Sequence, residues 1–177
     1  MVTPLFKKLN LGNQTRIHVL QAPDSFEPAL AALPAVQVAR RVTGSVEFAL
    51  AFVITQAELD TLSQKLIQAT TGDATLWFVY PKQSSKKYRC EFHRDSGWHV
   101  LGAAGFEPVR MVAIDEDWSA LRFRRTEYVK NMTRNPAGAI SAAGKKKARA
   151  TRQSAQSAKP ATPSPASAKR RKRKSAG

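Results

Sequence analysis

Residues able to carry covalent or metal chemistry are few in this sequence. Its 177 residues include one cysteine, Cys90, and three histidines. A single thiol excludes an internal disulfide, and the lack of a CxxC pair excludes the common zinc and dithiol arrangements. No apolar run approaches the roughly 18 residues that a membrane span needs. The longest, Val46 to Ile54, is interrupted by Glu47 and is strand-sized. The opening residues MVTPLFKKLNLGNQ contain no secretory hydrophobic region. These absences predict a soluble chain in a reducing compartment, the cytoplasm, with no membrane partner.

Acidic residues are also missing from one region. The chain carries 29 Lys and Arg against 13 Asp and Glu, a net charge of +16. Residues 135–177 hold twelve of the basic residues and none of the acids, no aromatic, and only one aliphatic residue larger than alanine, Ile140. With so little apolar area to bury, such a segment is not expected to offset the ~1–2 kcal/mol of backbone entropy lost per ordered residue. Composition therefore predicts a folded domain over residues 1–134 and a disordered basic tail over 135–177. Pro160, Pro163 and Pro165 further oppose a continuous helix.

The first 130 residues read as alternating strands and helices. Arg16–Leu20 is a short strand. A helix over Ser25–Leu33 takes Asp24 or Ser25 as its N-cap and stops at Pro34. Val36–Val42 and Val46–Ile54 read as strands, yet Thr43–Ser45 is too short a link for a parallel crossover. Either the two form a hairpin or the first is not a full strand. Thr55 and Glu58 have capping-box spacing before a helix whose Leu59, Leu62, Leu66 and Ile67 share one face. Thr75–Tyr80 is a buried strand, and Asp95 opens a helix that Gly105 terminates. Val109–Ile114 and Leu121–Tyr128 are closing strands, paired antiparallel because their link is short. In the second, Leu121 and Phe123 alternate with Arg122 and Arg124, the pattern of an edge strand. The predicted fold is α/β, a three-layer Rossmann-like sandwich. Its sheet is mostly parallel with an antiparallel C-terminal edge strand, and the basic tail follows.

Asp95–Trp98 (DSGW), Gly105–Val109 (GFEPV) and Val112–Phe123 (VAIDEDWSALRF) together resemble a family of small bacterial proteins of unknown function. The segments from Pro4-Leu5 to Ala22-Pro23 and around Pro81-Lys82 extend the resemblance over roughly residues 1–126. It implies a Rossmann-like domain in a bacterial protein and lends no activity. The strand–helix–strand–strand ending is similar to the last part of class I methyltransferases, where an antiparallel hairpin completes the sheet. The turn after the first strand, Gln21-Ala-Pro-Asp-Ser25, departs from that pattern. It has no glycine to let the backbone approach a nucleotide or adenosylmethionine.

Ligands of open α/β sheets sit beyond the carboxyl ends of the parallel strands. That edge is expected to collect Asp24, Ser25, Thr55, Lys82, Asp115, Asp117 and Trp118, as a polar pocket or as caps and turns. Cys90, His93 and His99 lack the spacing of a metal site, although Lys86, Lys87 and Arg89 stand close enough in sequence to lower a thiol pKa. No catalytic residue, metal or cofactor is expected. Lys82, Lys86, Lys87, Arg89 and Arg94, interleaved with Tyr88 and Phe92, have the composition of a nucleic-acid surface, which Arg122, Arg124 and Arg125 would extend.

The tail gives the strongest functional signal. One cluster is Lys145, Lys146, Lys147, Arg149 and Arg152. The other is Lys169, Arg170, Arg171, Lys172, Arg173 and Lys174, and an Ala/Ser/Pro spacer joins them. The pattern is similar to the tails of linker-histone-like bacterial proteins. Polycations displace condensed counterions from phosphates whatever the base sequence. The expected function is nonenzymatic association with nucleic acid, DNA before RNA, which would place the protein at the nucleoid. The alternative is a small-molecule-binding or methyltransferase-like domain with the tail as localiser. A third is a protein adaptor anchored around Trp98 and Trp118.

Overall fold

A computed structural model describes residues 2–132 and 136–157. Thr3 accepts a hydrogen bond from Phe6 N at the start of helix α1 (Pro4–Lys8), with Pro4 at the first helical position. Strand β1 (Arg16–Leu20) follows, then a short 3-10 turn at Asp24–Phe26 leading into α2 (Glu27–Ala31). Neither Asp24 nor Ser25 caps that helix: the residue before the turn is Pro23, and no side-chain cap bond forms. Strand β2 is only Gln37–Ala39 and β3 is Phe48–Phe52. The capping box is present, with Thr55 Oγ1 accepting from Glu58 N and Glu58 Oε2 accepting from Thr55 N, and it opens α3 (Gln56–Ala69). The remaining elements of the sheet and its cover are β4 (Thr75–Pro81), α4 (His99–Ala103), β5 (Phe106–Ala113) and β6 (Trp118–Arg125). Helix α5 (Ala142–Ser157) closes the described chain.

The six strands form one sheet in the order β2-β1-β3-β4-β6-β5. β1 pairs parallel with both β2 and β3, and β3 pairs parallel with β4. β2 is therefore neither part of a hairpin with β3 nor a full strand; it is a three-residue parallel edge on the far side of β1. Because β2 is so short, residues 40–47 suffice to return the chain past β1. The antiparallel pair lies at the other edge as expected, but its order is reversed. β6 lies inside, hydrogen-bonded to β4 and β5, and β5 is the edge strand. The arginine alternation of β6 therefore has another cause than edge exposure: Leu121 and Phe123 are fully buried on one face, while Arg122 and Arg124 leave from the other.

The two faces differ by residue size, which sets the layers. β3 sends Ala49 and Ala51, with Val53 just beyond its end, toward Leu59, Leu62 and Leu66 of α3, and Phe48, Leu50 and Phe52 toward α1 and α2. β4 divides likewise, with Leu76, Phe78 and Tyr80 on the α3 side and Trp77 and Val79 on the other. Alanines on one face let the longest body helix approach, while the larger residues on the other fill the space beside two five-residue helices. The helix expected from Asp95 is confined to His99–Ala103, because the indole of Trp98 donates to the carbonyls of His93 and Arg94 and holds the preceding residues in a turn. Gly105, at φ +80°, ends that helix as predicted.

Thr55→Ala should cost about 1 kcal/mol of unfolding free energy, through loss of the α3 cap. Urea denaturation monitored by circular dichroism measures it, and an unchanged midpoint contradicts the capping role.

Candidate sheet-edge crevice and basic arm

At the carboxyl end of β1 the chain turns through Gln21, a non-glycine residue at φ +55°. The position that would bring backbone against a nucleotide is thus occupied by a side chain in a conformation that L-residues seldom adopt. Beside it, on the α1–α2 face, four aromatic rings stand in file. Phe26 lies 5.0 Å from Phe52, Phe52 lies 5.3 Å from Trp118, and Trp118 lies 4.8 Å from Tyr88. These rings cover the ends of β3 and β6 with apolar packing.

The polar residues predicted at this edge fall into separate groups. Lys82, Asp115, Asp117 and Trp118 are brought together in one knot. Asp115 Oδ1 accepts from the backbone N–H of Asp117 and of Trp118, both at 2.8 Å. Asp117 Oδ1 accepts from Ser85 Oγ at 2.7 Å, and Lys82 Nζ donates to the Asp115 carbonyl at 2.5 Å. Lys82 and Ser85 thereby join the 82–88 loop to the β5–β6 turn, and the Asp115 carboxylate braces that turn itself. Trp118 is buried, and its Nε1 has no acceptor. Asp24 lies apart, in a shallow cleft with Glu27 and Arg40, which form their own ion pair. Ser25 is exposed, and Thr55 is committed to capping. Lys82 borders two clefts, of about 230 Å³ and 470 Å³; the larger has Tyr80 and Met111 among its lining, with His93, Arg94 and Asp95.

Cys90 is half-buried, and burial pushes its thiol up, so the neighbouring cations do not produce a thiolate. His93 Nδ1 accepts from Asp95 N, and His99 faces Asp60 at 3.6 Å. Among the described residues no three His, Cys, Asp or Glu side chains gather as metal ligands. The 82–94 loop exposes Lys86, Lys87 and Arg89. Its aromatics are used differently from the sequence expectation: Phe92 is buried against Tyr80 and Trp98, and Tyr88 packs on Trp118. The loop therefore exposes these cations while its two aromatic rings are taken up in packing. Arg124 is paired bidentately with Asp73, whose carboxyl it holds below the usual range, and Arg125 donates to the Thr70 carbonyl while lying over Phe106.

Residues 142–157 form a helix where composition predicts none, and a carboxylate missed at the sequence level explains it. Glu107, in β5, has no exposed surface. Its Oε1 accepts from Ser141 N at 2.7 Å and from Ser141 Oγ at 2.6 Å, and its Oε2 accepts from Ile140 N at 3.2 Å. The Ser141 hydroxyl in turn accepts from Gly144 N, the N-cap bond of α5. Gly144 is required because a Cβ there would strike Glu107 Oε1. Ala148 is buried, Lys147 Nζ donates to the Thr126 carbonyl, and Lys145, Lys146, Arg149 and Arg152 are exposed. The signal for this anchor was a lone acid in an apolar strand, together with the only large aliphatic residue of the tail, Ile140, beside a serine. Lys169 to Lys174 lie outside the described residues.

No family model matches the chain, and no curated protein does. Among solved structures it is similar to the pyocyanin biosynthetic protein PhzM, at 14% identity and a TM-score of 0.42 over 66% of this chain and 52% of that one. It is also similar to TehB from Haemophilus influenzae, at 7% identity and 0.41 over 68% and 61%. A third is the N-methyltransferase NodS from Bradyrhizobium japonicum, at 15% and 0.33 over 62% and 73%. The chain spans about half the length of PhzM.

Glu107→Ala should remove about 3 kcal/mol, because it leaves the Ser141 and Ile140 donors buried without an acceptor. Hydrogen exchange should show the α5 amides losing protection while the β3 and β4 amides keep it. Unchanged protection in α5 refutes the anchoring.

Proposed function

We propose that the chain is a nonenzymatic polyanion-binding protein that associates with nucleic acid, chiefly duplex DNA, through its C-terminal basic segment. The observation that carries this reading is the twelve Lys and Arg of residues 135–177 with no acid among them. Support comes from α5, which exposes Lys145, Lys146, Arg149 and Arg152 on a helix fixed to the body through Glu107. Phosphates are contacted one charge at a time, and with no aromatic in the segment bases are not read. The folded domain is the platform. Its β1 turn has no glycine and its strand ends carry the aromatic file, so neither opens the backbone to a cofactor.

Truncation tests this reading only if the α5 anchor is spared, since removing residues 135–177 would leave Glu107 buried without donors. Ending the chain after Ser157 removes seven of the twelve basic residues. If about eight charges meet duplex phosphates, log K should fall against log salt with a slope near −7 at ~0.9 per contact. The truncated chain should show roughly half that slope in fluorescence anisotropy titrations. An unchanged slope, or no binding by the full chain in dilute buffer, overturns the reading.

A second reading, a small-molecule or methyltransferase-like domain with the segment as localiser, is favoured by the cleft of about 470 Å³ at the carboxyl end of β4. It requires saturable stabilisation by adenosylmethionine or a nucleotide in thermal-shift measurements. No shift with either removes it.

A further inference from the structure

On the β5–β6 ladder, Arg110 stands directly opposite Arg122. Directly opposed residues of an antiparallel pair leave the same face, and like charges placed so repel. The arrangement is set by a bulge: the register shifts between Pro108 and Arg110, so Val109 is the extra residue. Without that insertion Val109 would face Arg122, and the repulsion would not exist. Neither arginine has a carboxylate within 4.0 Å among the described residues, although Arg124, two positions along the same face, is paired with Asp73. Arg122 is half-buried. Its Nη2 reaches only Thr75 Oγ1, at 3.4 Å, and its Nε has no acceptor. Arg110 is exposed and touches the Asn10 side-chain oxygen at 3.3 Å. Burial depresses the Arg122 guanidinium, and Arg124 and Arg110 add repulsion that Asp73 offsets only in part.

Two arginines at directly opposed positions of the ladder, one half-buried and neither with a carboxylate within 4.0 Å among the described residues, form an arrangement that an oxyanion would relieve. We infer that Arg110 and Arg122 form a phosphate-binding site on the face of the β5–β6 ladder that also carries Arg124. It binds one tetrahedral phosphate group between the two forks. The site stands on the strand register and does not require the polyanion reading of the arm. The same chemistry is offered by an inorganic phosphate or phosphomonoester and by the phosphodiester of a nucleic-acid strand.

The test is a titration of the full chain with inorganic phosphate, at ionic strength held constant with chloride, followed by the Arg122 Nε–Hε and Thr75 amide resonances in 15N NMR. A saturable shift at both is expected. Arg110→Gln, an exposed substitution that leaves the fold intact, should weaken the apparent affinity at least fivefold. A parallel titration with dimethyl phosphate separates the sources: binding comparable to inorganic phosphate assigns a phosphodiester, and binding of inorganic phosphate alone assigns a free or terminal phosphate. Absence of a saturable shift at Arg122, an unaltered affinity in Arg110→Gln, or shifts confined to α5 overturns the site. The salt slope of DNA binding by the arm is unaffected by any of these outcomes, so the two readings fail separately.

Discussion

A carboxylate with no exposed surface must find its donors inside the protein, and for Glu107 they come from residues 33 and 34 positions along the chain. That demand holds Ile140 and Ser141 against the edge strand and so fixes where α5 begins. It also answers the entropic argument against order in this region. The helix has little apolar surface, with Ala148 its one buried apolar side chain, so hydrophobic burial is a minor contributor. Directed bonds at its N-terminus carry the load, and a buried negative charge there is favourable toward the helix dipole. That term opposes the unfavourable placement of Lys145, Lys146 and Lys147 within the first two turns.

The same economy of polar groups governs the carboxyl edge of the sheet. Asp115 and Asp117 look in sequence like free acids beside a tryptophan, yet Asp115 accepts from two amides of its own turn and Asp117 from Ser85 of the neighbouring loop. Lys82 bonds a carbonyl, not a carboxylate. The group that shapes this edge is the aromatic file from Phe26 to Tyr88, because it turns what would be a crevice into packing. A Rossmann-like sheet with such an edge keeps the architecture of a ligand-binding fold while its first turn, through Gln21, departs from what a nucleotide cradle uses.

Strong local signals were legible from sequence. β1, the Thr55–Glu58 box, the buried β4 and the Gly105 terminator depend on neighbours within a few residues, and the structure has them at the predicted positions. The lengths of β2 and α4 were not legible, because Gln37–Ala39 is limited by what β1 can pair with, and α4 by how Trp98 packs. The order of the last two strands was missed for a related reason. The arginines of β6 suggested an edge strand, but Asp73, Thr70 and Thr75, some 47 to 55 residues distant in sequence, receive them between the end of α3 and the start of β4. Of the predicted edge pocket, only Lys82, Asp115, Asp117 and Trp118 come together, since the last three share one turn and Lys82 follows β4, whose end pairs with Trp118. Asp24, Ser25 and Thr55 sit on other strand ends, and nothing local determines their spacing from that turn.

Among the described residues, carboxylate partners are few for the cations of the body as well as for those of the arm. Within the body Arg40, Arg94 and Arg124 each have a carboxylate, whereas Arg110 and Arg122 have none among the described residues. β5 carries both the anchor of α5 and one guanidinium of the unpaired couple, with the Val109 bulge between Glu107 and Arg110. Exposed lysines on the arm attract through counterion release and lose their hold as salt rises, while a half-buried guanidinium is screened far less. If both proposals hold, affinity that survives at high ionic strength originates in the ladder and not in the arm.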